Sequence, residues 1–207
     1  MSERPILFNS EMVRAILDGR KTQTRRVIKL THGRAMLVDE DGVWQGRNPR
    51  SLVTCPYGQP GDRIWVRETH HIWSQANEDT GREERSVFYK ATEPVGESTP
   101  GDSLKWKPSI HMPRWASRIT LEITNVRVEQ MQDISEEDAK AEGIVPIVCK
   151  HPNPVLPSAC EDCRNTGYID PPEQGFMELW NSLNEKRGFG WSKNPWVWVI
   201  EFKRIKQ

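Results

Sequence analysis

Apolar and polar positions alternate along several short segments of the chain, and this period of two predicts β-strands. The alternation is clearest at residues 63–69, 119–123 and 196–202. Shorter strands are expected at residues 6–8, 27–28 and 86–91, with a hairpin pairing residues 35–38 and 42–44. The apolar phase switches after Ile123, which predicts a bulge near Thr124 and Asn125.

Three segments instead follow the helical period. The first takes Ser10 as its N-cap, ends at Gly19 and carries its apolar stripe at Met12, Val13, Ile16 and Leu17. The second begins at Ser135, with Glu137 and Asp138 in its first turn, and ends at Gly143. The third begins at Pro171 and Pro172, with an apolar face of Phe176, Met177, Leu179, Trp180 and Leu183. Strands outnumber helices and no βαβ rhythm or repeat appears, so a small closed or partly closed barrel with peripheral helices is favoured.

Residues 19–38 form a cationic segment that contains no carboxylate. Its six positive residues are Arg20, Lys21, Arg25, Arg26, Lys29 and Arg34. A solvated loop normally mixes the two signs of charge, so this segment predicts an anionic group nearby.

The start of this segment, Gly19-Arg20-Lys21-Thr22-Gln23-Thr24-Arg25-Arg26, resembles the G-x-K-x-x-[ET]-x-R signature of the ASCH family, small β-barrel domains related in fold to the PUA RNA-binding domain. Pro60-Gly61-Asp62 and the strands at 119–123 and 199–203 follow in the family's order, and residues 111–118 resemble the longer ASCH proteins encoded by phages and prophages. The resemblance implies an α+β, mainly β fold: one PUA-like ASCH domain over residues 1–207 with peripheral helices. Insertions at about 70–109 and 147–170 are not explained by the core family.

Composition agrees with one globular domain. The 207 residues carry 29 Lys and Arg against 29 Asp and Glu, so the whole chain is not a general binder of polyanions and only local basic patches are candidates. No apolar run approaches the roughly 18 residues of a membrane span, and the N-terminus lacks the apolar region of a signal peptide. We therefore expect a soluble cytoplasmic protein without an organic cofactor.

Threonine at the sixth motif position resembles the bacterial amidohydrolase that removes the acetyl group from N4-acetylcytidine. On that resemblance, Lys21 is the base, Thr24 the nucleophile and Glu122 the proton shuttle of an N-acyl nucleoside hydrolase. The ordinary lysine pKa of about 10.4 is too high for a base near neutrality, but burial and neighbouring cations lower it.

Two other functions are consistent with the basic residues of the chain. In a non-catalytic binding module, Arg20, Arg25, Arg26, Arg114 and Arg118 hold the backbone of RNA or single-stranded nucleic acid while Trp115 stacks on a base. Lys105-Trp106-Lys107 shows the same interleaving of cations and rings, which is also common on ordinary surfaces. A weak ribonuclease in the same basic cleft is the third hypothesis. Without the family resemblance, Lys21, Thr24 and Glu122 are better explained as ordinary strand and surface residues, because a basic loop followed by a lone glutamate is common.

Three cysteines and a histidine suggest a metal site. Cys149, His151, Cys160 and Cys163 supply the four ligands that tetrahedral Zn²⁺ prefers, and a closed set of four predicts a structural role. The alternatives are reduced spectator thiols or a redox pair of the last two cysteines. Cys55 stands apart and is expected to be a small buried hydrophobic residue.

Overall fold

The computed structural model describes residues 2–28, 36–38, 44–46, 54–76, 81, 83–93, 105–145 and 171–205. The chain divides into two compact units. Unit 1 comprises Met1–Gly19, Tyr57–Asn125 and Phe202–Gln207, and unit 2 comprises Arg20–Pro56 and Val126–Glu201. In the part of the chain that is described, no helix has the length and apolarity needed to cross a membrane.

Most strands belong to a five-stranded sheet with the order β1-β5-β8-β9-β2. These strands are β1 (Glu3–Leu7), β2 (Gln23–Val27), β5 (Arg63–Arg67), β8 (Thr120–Gln130) and β9 (Trp196–Ile205). β1 runs parallel to β5, whereas β5 with β8 and β2 with β9 are antiparallel. Two separate antiparallel pairs are formed by β3 (Met36–Val38) with β4 (Trp44–Gly46), and by β6 (His70–Ala76) with β7 (Glu83–Tyr89).

The core of unit 1 is built from one face of helix α1 (Ser10–Leu17) and the inward positions of its strands. Asn9, not Ser10, is the N-cap, because its side-chain oxygen accepts the backbone N–H of Met12 at 2.8 Å. Gly19 ends the helix as predicted, with a φ of +77° that favours glycine. The buried apolar side chains include Ile6, Phe8, Val13, Ile16, Ile64, Val66, Leu121 and Ile123.

Unit 2 packs two helices against β9. Helix α2 (Glu136–Ala141) begins at the predicted cap, where Ser135 Oγ accepts the backbone N–H of Asp138 at 3.2 Å. Helix α3 (Pro172–Asn184) begins at the predicted prolines. One cluster joins both helices to the strand: Met131, Ile134, Ala139, Phe176, Trp180, Val197 and Val199. Leu183, expected on the apolar face of α3, is instead 43% exposed, because the buried side of the helix follows Phe176, Trp180 and Asn184 at intervals of four residues.

The prediction of a mixed α+β, mainly β fold is confirmed. The sheet order ends in β1 and β2, so the described strands form an open sheet and not the closed barrel that was one of the two expected forms. β8 continues from Thr120 to Gln130 through the position of the predicted bulge. Cys55 is buried, as expected.

Candidate functional site

Lys21 is held in unit 2 by backbone pairing with the end of α2. It forms an isolated antiparallel bridge with Glu142, and the adjacent Thr22 N–H donates to the carbonyl of Ala141 at 2.9 Å. Glu142 is the C-cap of α2 and precedes Gly143, whose φ is +91°. The turn after α2 and the segment before β2 therefore present their side chains to each other.

The Lys21 ammonium forms a fully buried ion pair. Nζ donates to Glu142 Oε2 at 2.5 Å and to the Glu142 carbonyl at 2.8 Å, and the two side chains are 0% and 3% exposed. Burial lowers the pKa of Lys21 from its ordinary value; the Glu142 carboxylate opposes this shift, while Arg26 and Arg25 reinforce it. An amine and a carboxylate that are both removed from water therefore meet at this site.

A second buried cation, Arg25, holds the other side of this carboxylate. Arg25 Nη1 lies 3.5 Å from Glu142 Oε1, and Nη2 lies 2.8 Å from Asp138 Oδ2 and 3.1 Å from Glu129 Oε2. The Arg25 side chain is 0% exposed and lies over the Phe176 ring at 5.8 Å. Three carboxylates compensate the buried guanidinium, so Arg25 has a structural place inside unit 2.

The network extends from Asp138 to Arg127. Arg127 Nη2 lies 2.8 Å from Asp138 Oδ2, and Arg127 also pairs with Glu129 and Glu201. In the amide orientation that satisfies both groups, Gln23 donates to Asp138 Oδ1 at 3.0 Å and accepts from Arg25 Nη1 at 2.7 Å. Burial raises the pKa of Asp138, but the hydrogen bonds and charges of Arg25 and then of Arg127 lower it by more. The pKa of Asp138 is therefore below its ordinary value. Asp138 is therefore a carboxylate that bridges two arginines.

The other two predicted catalytic residues, Thr24 and Glu122, belong to different units. Thr24 is buried on β2 of unit 2, opposite Ile200 of β9. Glu122 belongs to unit 1, where it pairs with Arg63 across the β5–β8 register and its Oε1 lies 2.9 Å from Lys203 Nζ. The catalytic roles of both residues remain predictions.

Glu142 is the residue that sequence reasoning missed. No spacing rule connects it with Lys21. The available signal was local: Glu142 lies three residues after Ala139, hence on the same helical face, and Ala139 is fully buried. A carboxylate on the inward face of a short helix requires a buried partner.

The predicted nucleic-acid contacts are divided between the units. In unit 2, Arg20 is exposed and donates to the Gly143 carbonyl at 3.2 Å, Arg26 is partly buried, and Arg25 faces carboxylates. In unit 1, Arg114 forms a two-pronged pair with Glu3 at 2.9 and 3.0 Å.

Arg118 in unit 1 forms a similar pair with buried Glu68, also at 2.9 and 3.0 Å, and lies 3.9 Å from the centre of the Tyr89 ring. Trp115 is 54% exposed, and the Arg85 guanidinium lies 5.8 Å from the centre of its ring. A nucleic-acid role for this set is still a prediction. The four expected zinc ligands, Cys149, His151, Cys160 and Cys163, lie outside the described residues.

Comparisons with known proteins give one structural similarity to report. No protein-family model matches the chain, and no curated protein matches it. A solved structure, the high-resolution crystal structure of an ASCH domain from Lactobacillus crispatus JV V101, matches 98% of this chain and 79% of its own, with 13% sequence identity and a TM-score of 0.39. The match is to the family that the Gly19 to Arg26 motif resembles. At this TM-score it is too distant to carry conclusions about the site.

Proposed function

We propose that this chain hydrolyses the N-acyl group of a modified nucleobase, of the N4-acetylcytidine kind, with Lys21 as the base. One observation supports this activity: Lys21 is fully buried, its pKa is lowered, and its ammonium lies 2.5 Å from the Glu142 carboxylate. A solvated phosphate-binding lysine has no need of this environment, whereas a general base does.

The roles follow from the chemistry of the three side chains. Neutral Lys21 takes the hydroxyl proton of Thr24, and Thr24 Oγ1 attacks the acyl carbon, whose carbonyl π electrons move to oxygen. When this intermediate collapses, the C–N bond breaks and the exocyclic amine leaves with the proton held by Lys21. Water then attacks the acyl-threonine ester and gives a proton to the Lys21 amine. When the ester C–O bond breaks, Lys21 returns this proton to Thr24 Oγ1, and the carboxylic acid is released.

Glu142 replaces Glu122 as the proposed proton shuttle. Its carboxylate touches the Lys21 ammonium, so a proton passes between the two groups without crossing solvent. Arg25 Nη1 lies 3.5 Å from the second carboxylate oxygen and fixes its position.

The nucleophile gives the sharpest test, because one conservative replacement of Thr24 keeps its hydroxyl and another removes it. Purified protein is incubated with N4-acetylcytidine, and released cytidine is measured by chromatography. Thr24→Ser keeps the hydroxyl and is expected to retain turnover within about tenfold, whereas Thr24→Val keeps the shape and is expected to lose about a thousandfold or more. Circular dichroism of both variants establishes that each is folded.

Lys21→Arg separates catalysis from binding, since arginine keeps the positive charge but does not give up a proton near neutrality. Loss of turnover is expected. If the parent releases no cytidine, or if Thr24→Val matches the parent, the amidohydrolase proposal is wrong.

A further inference from the structure

The β6–β7 hairpin of unit 1 carries a group of aromatic side chains on one face. In its register, His71 pairs with Phe88 and Trp73 pairs with Ser86. Alternate residues of a strand share a face, so His71, Trp73 and Phe88 lie together; we call them the hairpin aromatic face. The His71 ring lies 6.3 Å from the Phe88 ring and 6.4 Å from the Trp73 ring, and Trp73 is 51% exposed.

Three exposed lysines surround the base of this hairpin. Lys90 N–H donates to the Thr69 carbonyl at 3.0 Å, which extends the ladder and places Lys90 on the face of Phe88. Lys105 provides the carbonyl that accepts His71 Nδ1–H at 3.0 Å, and Lys107 is bridged to His70. Within the described ranges, these three ammonium groups form no ion pair.

In the described part of this unit, several arginines, unlike the three lysines, form ion pairs with carboxylates. In the same unit, Arg85 pairs with Glu83, Arg114 with Glu3, and Arg118 with Glu68. The one carboxylate on the aromatic face, Glu84, lies farther along the hairpin, opposite Gln75. Positive charge without a described carboxylate partner is therefore concentrated at the end where the rings lie.

We propose that the hairpin aromatic face binds single-stranded nucleic acid, with bases stacked on Trp73 and Phe88 and phosphates held by Lys90 and Lys105. Every base has a flat face that stacks on aromatic rings, and the strand's phosphates complement the lysines. A protein partner fits less well, because the remaining side chains of this face, including Gln75, Ser86 and Glu84, are polar and Trp73 is its only largely exposed apolar group among the described residues. This surface shares no residue with the proposed hydrolase site, and the proposal does not require hydrolysis.

The full-length chain is titrated against fluorescently labelled 15-nucleotide oligo(U) and oligo(dT), and binding is followed by anisotropy over a range of salt. Trp73→Ala is expected to weaken binding about fivefold or more while leaving the salt dependence intact, because stacking releases no counterions. The Lys90→Ala, Lys105→Ala double variant is expected to reduce the slope of log K against log salt by about two contacts. Trp73 and both lysines are exposed, so their replacement is not expected to prevent folding.

Two controls make the result decisive. An abasic strand of equal length keeps the phosphates but has no bases, and it is expected to bind about tenfold or more weakly. Leu183→Ala removes an exposed apolar side chain of unit 2, outside the hairpin, and is expected to bind like the parent. Equal affinity of the abasic strand, loss of binding in Leu183→Ala alone, or a monomer–dimer shift in sedimentation caused by Trp73→Ala would overturn the proposal. The oligonucleotides carry no acyl group, so these outcomes do not depend on hydrolysis.

Discussion

Lys21 Nζ lies 2.5 Å from Glu142 Oε2, although 121 positions separate the two residues along the chain. Both side chains are buried, so the pair is protected from the solvent screening that weakens surface ion pairs. The Glu142 carboxylate favours the charged amine, and burial disfavours it. The balance between these two effects sets the protonation state of Lys21.

Replacing Glu142 by glutamine removes the carboxylate that lies 2.5 Å from Lys21 Nζ. The pKa of Lys21 is expected to fall further, because burial and the two arginines lower it and the Glu142 charge no longer opposes them. Turnover of N4-acetylcytidine is expected to fall at least about a hundredfold. NMR titration of the Lys21 Cε and Nζ signals measures the pKa directly. Glu122→Gln is the matched control: it should leave the Lys21 pKa unchanged, and a loss of turnover in this variant alone would restore Glu122 as the proton shuttle.

Removing the Arg25 guanidinium should destabilise the fold strongly. Arg25→Met leaves Asp138, Glu129 and Glu142 without their shared cation, and breaking a buried ion pair in this way costs about 3–5 kcal/mol. Urea unfolding measures the loss. Lys140→Met breaks the exposed pair with Glu136 in the same unit and should leave the urea midpoint nearly unchanged. Similar losses in both variants would contradict the structural role of Arg25.

The buried His70 predicts a loss of stability on the acid side. Burial lowers the pKa of His70; Lys107 and His111 act in the same direction, and hydrogen bonding to the Glu68 carbonyl and the Glu68 charge oppose it. The unfolded chain then binds a proton more readily than the folded chain, so the free energy of unfolding falls as pH drops below the unfolded value of about 6.5. His70→Gln should remove this part of the pH dependence.

The measurement is the difference in unfolding free energy between parent and variant from pH 8 to pH 4.5, in which the contributions of other groups cancel. A difference curve that is flat for His70→Gln would show that His70 does not titrate differently in the folded state.

Zinc content tests the site predicted at Cys149, His151, Cys160 and Cys163. Purified protein should contain about one equivalent of zinc by atomic emission, and chelation should lower the unfolding midpoint, because binding energy of a structural metal is folding energy. Cys160→Ser should lose the metal, and Cys55→Ser, which changes a buried cysteine outside the set, should keep it. If the purified protein contains no metal and chelators do not change its unfolding, the prediction of a structural zinc is wrong.

The local elements were predictable from sequence because their signals act over a few residues. Gly19 ends α1, Ser135 caps α2 and the prolines at 171 and 172 begin α3, each through backbone constraints within one turn. Alternation likewise located β5, β8 and β9. The N-cap of α1 was misplaced by one residue, since Asn9 and Ser10 both offer a capping oxygen and only geometry selects between them.

Tertiary structure alone decided which charges meet. The sequence placed Arg25 with the phosphate-binding arginines, yet its guanidinium lies among Glu129, Asp138 and Glu142, which are more than 100 positions away. The motif identified Lys21 from local sequence, but its carboxylate partner depends on a backbone bridge between the segment before β2 and the end of α2. A charged side chain can pair with any opposite charge that folding brings within about 4 Å, and composition does not encode which one that is.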